Sequence, residues 1–137
     1  MRRGPVEVLV MAFPVGSEPE VVAAAVRGPI QAGTIRMIDV VLVLRGEDGA
    51  FDMRDLEDGI PDSLASLVSD PHTLLSDEDL ELVVRGLAAD RQAAVLVVEH
   101  LWAKEAAEQI DRAGGELALF TRVSAFDVDM AFASAET

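Results

Sequence analysis

The feature that most constrains the fold is a pattern that occurs twice along the chain. Val8-Leu9-Val10 lies in an apolar run, followed by a helix-like stretch that closes on Ala32-Gly33 and at once by a second apolar run. Val95-Leu96-Val97 repeats the scheme, with a helix-like stretch closing on Ala113-Gly114 and a further run behind it. A glycine after the last helical residue ends a helix because it enters the left-handed conformation without steric cost. Two β-α-β units joined end to end give the β-α-β-β-α-β order of ferredoxin-like domains. The expected fold is therefore α+β, a ferredoxin-like β-α-β-β-α-β sandwich with an inserted hairpin and helical excursion between its halves. One domain over 1–137 is expected, with half one at 5–45, the insertion at 46–92, half two at 93–123 and a tail at 124–137.

The individual elements follow from local chemistry. Val6 to Phe13 is rich in β-branched residues, bounded by Pro5 and Pro14, and reads as a strand covered on both faces or central in a sheet. Ser17-Glu18-Pro19-Glu20 offers an N-cap, an early proline and acids suited to a helix dipole. The helix beyond it is expected to bury Val21, Val22, Ala25, Val26 and Ile30, and Pro29 to kink or end it. Thr34 to Leu44 is a long strand, and the Asp48-Gly49 turn sends the chain back through Ala50 to Met53. Arg54 to Pro71 reads as an acidic excursion with a short helix around 62–68. Ser76 opens a helix with Asp77, Glu78 and Asp79 in its first turn and Leu80, Val83, Val84 and Leu87 on its apolar face. A strand at Ala93–Val98, a helix at Leu101–Arg112, a last strand at Glu116–Val123 and a terminal helix at Ser124–Ala135 complete the expected order.

Charge and composition narrow the functional classes. The 137 residues carry 11 Lys and Arg against 25 Asp and Glu, a formal net charge of −14. Such a surface repels phosphate backbones and anionic headgroups, so nucleic acid and membranes are not expected partners, whereas a basic protein is compatible. The absence of cysteine removes disulfides, thiolate catalysis and cysteine-held metals. Glu7 interrupts the first apolar run, which argues for a strand over a leader peptide, and no run approaches the roughly 18 apolar residues of a spanning helix. The expected location is cytoplasmic.

Gly33-Thr34-Ile35-Arg36-Met37-Ile38-Asp39 with the Asp48-Gly49 turn, Leu74-Leu75-Ser76-Asp77-Glu78-Asp79-Leu80, and Ala94-Val95-Leu96-Val97-Val98-Glu99 with Trp102-Ala103 stand out as runs. Together they resemble a family of short bacterial proteins of unknown function, found mainly in actinobacteria. The similarity runs from about Pro5 to Val123, with Pro29 a departure from it. It implies a single cytosolic domain and carries over no catalytic residue, the family having no assigned activity.

Candidate site residues are few. Glu99-His100 stands where a strand runs into a helix, a carboxylate beside an imidazole, although neighbours on a strand point to opposite faces. Asp39 lies inside an apolar strand and must be at an edge, paired, or functional, with Arg36 or Arg45 as partner. Trp102, the only tryptophan, is a candidate pocket cover or core residue. Asp48, Asp52, Asp55, Glu57 and Asp58 lack the ligand order of a calcium loop, and Gly114-Gly115 lacks the rest of a dinucleotide fingerprint. No metal or cofactor is expected. These features point to a non-enzymatic, self-associating binding or assembly module, built on an open sheet face or on the Phe126, Met130, Phe132 segment. A small-molecule binder or small enzyme of the dimeric α/β-barrel type, using Asp39, Glu99 or His100, is the alternative.

Overall fold

The computed structural model describes residues 4–119 and 125–135. Four strands form one antiparallel sheet: β1 (Val6–Pro14), β2 (Ile35–Arg45), β3 (Phe51–Arg54) and β4 (Arg91–His100), in the order β1-β4-β2-β3. The α-helices are α1 (Glu20–Gln31), α2 (Asp62–Ala65), α3 (Asp77–Gly86), α4 (Leu101–Arg112) and α5 (Ala125–Ala135), with a 3-10 turn at Leu56–Asp58. The protein is thus of mixed α+β class. It divides into two compact units, Met1–Ala106 and Ala107–Thr137. The first contains the sheet with α1, α2 and α3. The second contains the end of α4, where Gly114 takes a φ of +86° and Gly115 N–H donates to Ile110 O, and α5.

Because β1 and β2 are both antiparallel to β4, they run parallel to each other on its two sides, joined by α1. The sheet is packed on both faces. Phe13, Met37, Val40, Leu42, Ala94, Leu96 and Val98 meet Val22, Ala23 and Val26 of α1 and Leu64 of α2 on one face. Val41, Val43 and Val95 meet Leu80 of α3 on the other. Apolar burial on both faces is why β4 reads as an unbroken apolar run.

Most elements lie where the sequence places them, and the departures have local causes. The α1 N-cap is Pro19 rather than Ser17, whose N–H is drawn back to Pro14 O in a turn. The helix buries Val22, Ala23 and Val26 and leaves Val21 and Ala25 exposed, so the buried stripe is rotated from the expected one. Pro29 neither ends nor interrupts it: the helix runs on to Gln31, since a proline in the last turn removes only one bond. Gly33, with φ of +75°, makes the stop. Residues 116–119 are not in a strand, and the rest of the expected last strand, 120–123, lies outside the described residues, as does Ser124. The sheet's fourth strand is instead β3. The Asp48-Gly49 turn folds the chain directly back onto β2, closed by Gly46 N–H to Ala50 O and by Ala50 N–H to the Asp48 carboxylate, so pairing costs little loop entropy.

Among the described residues no helix is long and apolar enough to cross a membrane.

Candidate functional site

The chain's irregularity in β2 decides where Asp39 points. The β2–β4 register slips between Met37 and Asp39, the mark of a β-bulge. Before it Met37 faces α1; after it Val40 and Leu42 face α1, so Asp39, Val41 and Val43 turn toward α3. Asp39 is buried, 6% exposed, and its two carboxylate oxygens accept from Val40 N–H at 2.9 Å and Leu74 N–H at 3.0 Å. Neither Arg36 nor Arg45 is its partner, a correction to the expected ion pair. Arg36 reaches Glu99 instead, and Arg45 donates to the carbonyls of Arg91, Gly49 and Ala88 and lies over the Phe51 ring.

The bulge also gives the excursion its seat. Val68 bridges Met37 in parallel, Ser69 N–H donates to Met37 O, and His72 N–H donates to Ile38 O, both at 2.9 Å. β3 covers β2 only from Leu42 to Arg45, and residues 68–74 cover the part that β3 leaves open. Between this segment, the 3-10 turn and α3 lies a cleft of about 640 Å³ with Asp39 in its wall. Its apolar lining includes Val41, Leu56, Leu75 and Leu80, its polar lining His72 and four further acids, and among the described residues no Lys or Arg lines it. His72 Nε2 stands 3.4 Å from Asp70. Two of the acids have structural tasks: Asp55 and Asp58 form a reciprocal capping box at the 3-10 turn. Among the described residues no three His, Asp or Glu side chains converge as a metal-holding group.

Glu99 and His100 do not act on each other as a pair. Glu99, 1% exposed, faces the α3 side, opposite Arg36 in the β2–β4 ladder; it accepts from Gly4 N–H at 2.7 Å and stands 3.7 Å from the Arg36 guanidinium. His100 turns to the other face, its Nε2 3.3 Å from Glu7 Oε2 on β1. Trp102 is half-exposed rather than core, its ring set edge-on to His100 with centroids 6.4 Å apart. None of Glu99, His100 and Trp102 lines the cleft, so the structure divides the four candidate residues between two places.

A third feature lies on β1. Val6, Val8 and Val10 are 43, 51 and 48% exposed on the face that α3 covers only over its neighbours, and among the described residues no strand pairs with β1's outer edge. The sequence expectation that this strand is covered on both faces or central in the sheet does not hold: β1 is an edge strand with one half-exposed face.

The cleft residues Met53, Leu56, Pro71, His72, Thr73 and Leu75 were not legible as site residues. The available signal was Asp39 itself, an acid in an apolar strand, which implies a partner segment without naming it. Comparison of the chain with protein-family models, curated proteins and solved structures gives no match.

Proposed function

We propose that the protein is a cytosolic, non-enzymatic module that self-associates through β1. The observation that carries this is the half-exposed Val6, Val8, Val10 stripe on a strand that is also a sheet edge. Contiguous apolar surface and unpaired strand edges both favour association. Repulsion between chains of net charge −14 opposes a contact over most of the surface, whereas β1 carries one charge, Glu7, which is drawn to His100. A two-fold contact between two β1 strands is self-complementary. Exposed Val128, Met130 and Phe132 on α5 offer a second apolar surface, the Phe126 side chain lying outside the described set. The split β1-α1-β2 arrangement around β4 supports a ferredoxin-like relation, and the resemblance to short acidic actinobacterial proteins belongs to the same reading. Light scattering of the full chain across micromolar concentrations tests it: a concentration-dependent dimer is expected, and a strict monomer overturns it.

A second reading, that the chain binds a small molecule, is favoured by the cleft beside Asp39, whose volume of about 640 Å³ falls in the range of ligand sites. The buried acid and the apolar lining give it both a polar anchor and a body-binding surface.

A further inference from the structure

The apolar stripe on β1 and the free edge of the sheet belong to the same residues. In an antiparallel ladder every second pair of opposed residues exchanges N–H···O bonds, and the residues between them turn their backbone groups the other way. The β1–β4 pairing runs on past both ends of the strand, where His100 N–H donates to Pro5 O at 2.8 Å and Val15 N–H to Asp90 O at 2.9 Å. Those two bonds fix the phase: Glu7, Leu9, Met11 and Phe13 bond to β4. Val6, Val8, Val10 and Ala12 therefore direct N–H and C=O outward, where among the described residues no strand pairs with them. Pro14, which has no N–H to offer, takes the next outward position and closes the row.

Resting on the reading that the chain self-associates through β1, we infer that the contact is an edge pairing with a second copy. Two β1 strands run antiparallel about a two-fold axis at Val8 and join two four-stranded sheets into one. In this register Val8 faces Val8, and Val6 of each copy faces Val10 of the other. Outward backbone groups then meet outward backbone groups, and the half-exposed valines of both copies lie side by side on one face as cross-strand pairs. Glu7 falls opposite Leu9 of the other copy, so the strand's one charge meets no like charge. That charge also favours a second copy over a basic peptide. Its carboxylate is drawn to His100 and points to the face opposite the valines, so the edge offers a cation no counter-charge of its own.

The test is amide hydrogen exchange of the full chain over a concentration series, with light scattering on the same samples. In dilute solution the amides of Val6, Val8 and Val10 are expected to exchange fast, while those of Glu7, Leu9 and Met11 are protected by β4. As the dimer forms the alternation is expected to level out, the valine amides slowing about tenfold once the concentration stands tenfold above the dissociation constant. A dimer in which the alternation persists overturns edge pairing and leaves self-association standing. Valine amides already protected in the dilute monomer mean that the same chain covers its own edge, which overturns the inference too. A strict monomer at every concentration overturns both readings. Because the chain has no cysteine, one introduced thiol reports the register, and both chosen positions are half-exposed. Val8→Cys is expected to give a disulfide-linked dimer on mild oxidation, since opposed Cα atoms in a bonded pair stand about 5.5 Å apart. Val10→Cys, roughly 14 Å from its counterpart, is expected to stay unlinked. No link at Val8→Cys, or equal linking of the two variants, overturns the pairing about Val8.

Discussion

Leu74 N–H donates to Asp39 Oδ2 at 3.0 Å across 35 residues of sequence, tying the excursion between the third and fourth strands to the bulge in β2. The same carboxylate holds Val40 N–H across the register slip, so one side chain organises the bulge and the segment that covers it. Asp39→Ala leaves these donors without their acceptor and is expected to cost about 2 kcal/mol. Denaturant unfolding measures the loss. Amide exchange at His72 and Leu74 is expected to accelerate more than exchange in β4, and uniform acceleration would show that Asp39 does not dock the segment.

The α3 N-terminus carries a pH-dependent contribution. Ser76 N–H donates to Asp79 Oδ2 at 2.9 Å and the Ser76 hydroxyl accepts from Asp79 N–H at 3.1 Å, a reciprocal capping box. The backbone N–H of Ser76 and then its hydroxyl hold the Asp79 carboxyl below its ordinary value of 3.8, with slight desolvation opposing them. A lowered folded-state value contributes stability that is complete above the unfolded value and is lost as pH falls through the folded one. Carboxyl NMR titration is expected to place the Asp79 midpoint below 3.8. Ser76→Ala removes the hydroxyl and keeps the backbone N–H, so the midpoint is expected to rise only part of the way toward the ordinary value while Tm at neutral pH falls by roughly 3–5 °C; an unchanged Tm would contradict the cap.

The proposed self-association through β1 is expected to have an unusual salt dependence. With a net charge of −14 on each copy, screening weakens repulsion more than it weakens an apolar contact, so added salt is expected to tighten the dimer. Val8→Lys introduces a charge in the middle of the exposed stripe and is expected to yield a monomer whose Tm at low concentration is unchanged. Sedimentation velocity at two salt concentrations reads both effects, and a dimer that survives Val8→Lys moves the interface elsewhere.

Gly4 is required for close approach. A Cβ there would lie 2.7 Å from both His100 O and Lys104 Cβ, while Gly4 N–H donates to the buried Glu99. Gly4→Ala is expected to displace the segment ahead of β1, weaken the Glu99 bond and cost about 1–3 kcal/mol. Thermal unfolding of Gly4→Ala beside the control Gly28→Ala, where nothing lies within reach of a new Cβ, separates the clash from any general effect of removing a glycine.

The readings that succeeded rest on interactions within a few residues. The Ser76 cap, the Asp48-Gly49 turn and the left-handed stop at Gly33 are local hydrogen-bonding and steric events, visible in the residues that make them. Where the reading went astray, a distant element had intervened. The buried stripe of α1 is set by the sheet beneath it, so Ala23 is buried and Ala25 is not. Asp39 lacks the expected arginine because segment 68–74 lies beside that part of β2, and Arg36 is held across the ladder by Glu99.

By itself the sequence determined the α+β class and the positions of most strands and helices, because the periodicity, caps and turns that make them are local. The tertiary structure decided the order β1-β4-β2-β3, the bulge that turns Asp39 toward α3, and the cleft between residues brought together from β2, β3, the excursion and α3. The physical reason is the same in each case. Pairing and packing between segments far apart in the chain depend on which edge and which face remain open once the local elements have formed, and no short stretch of residues encodes that choice.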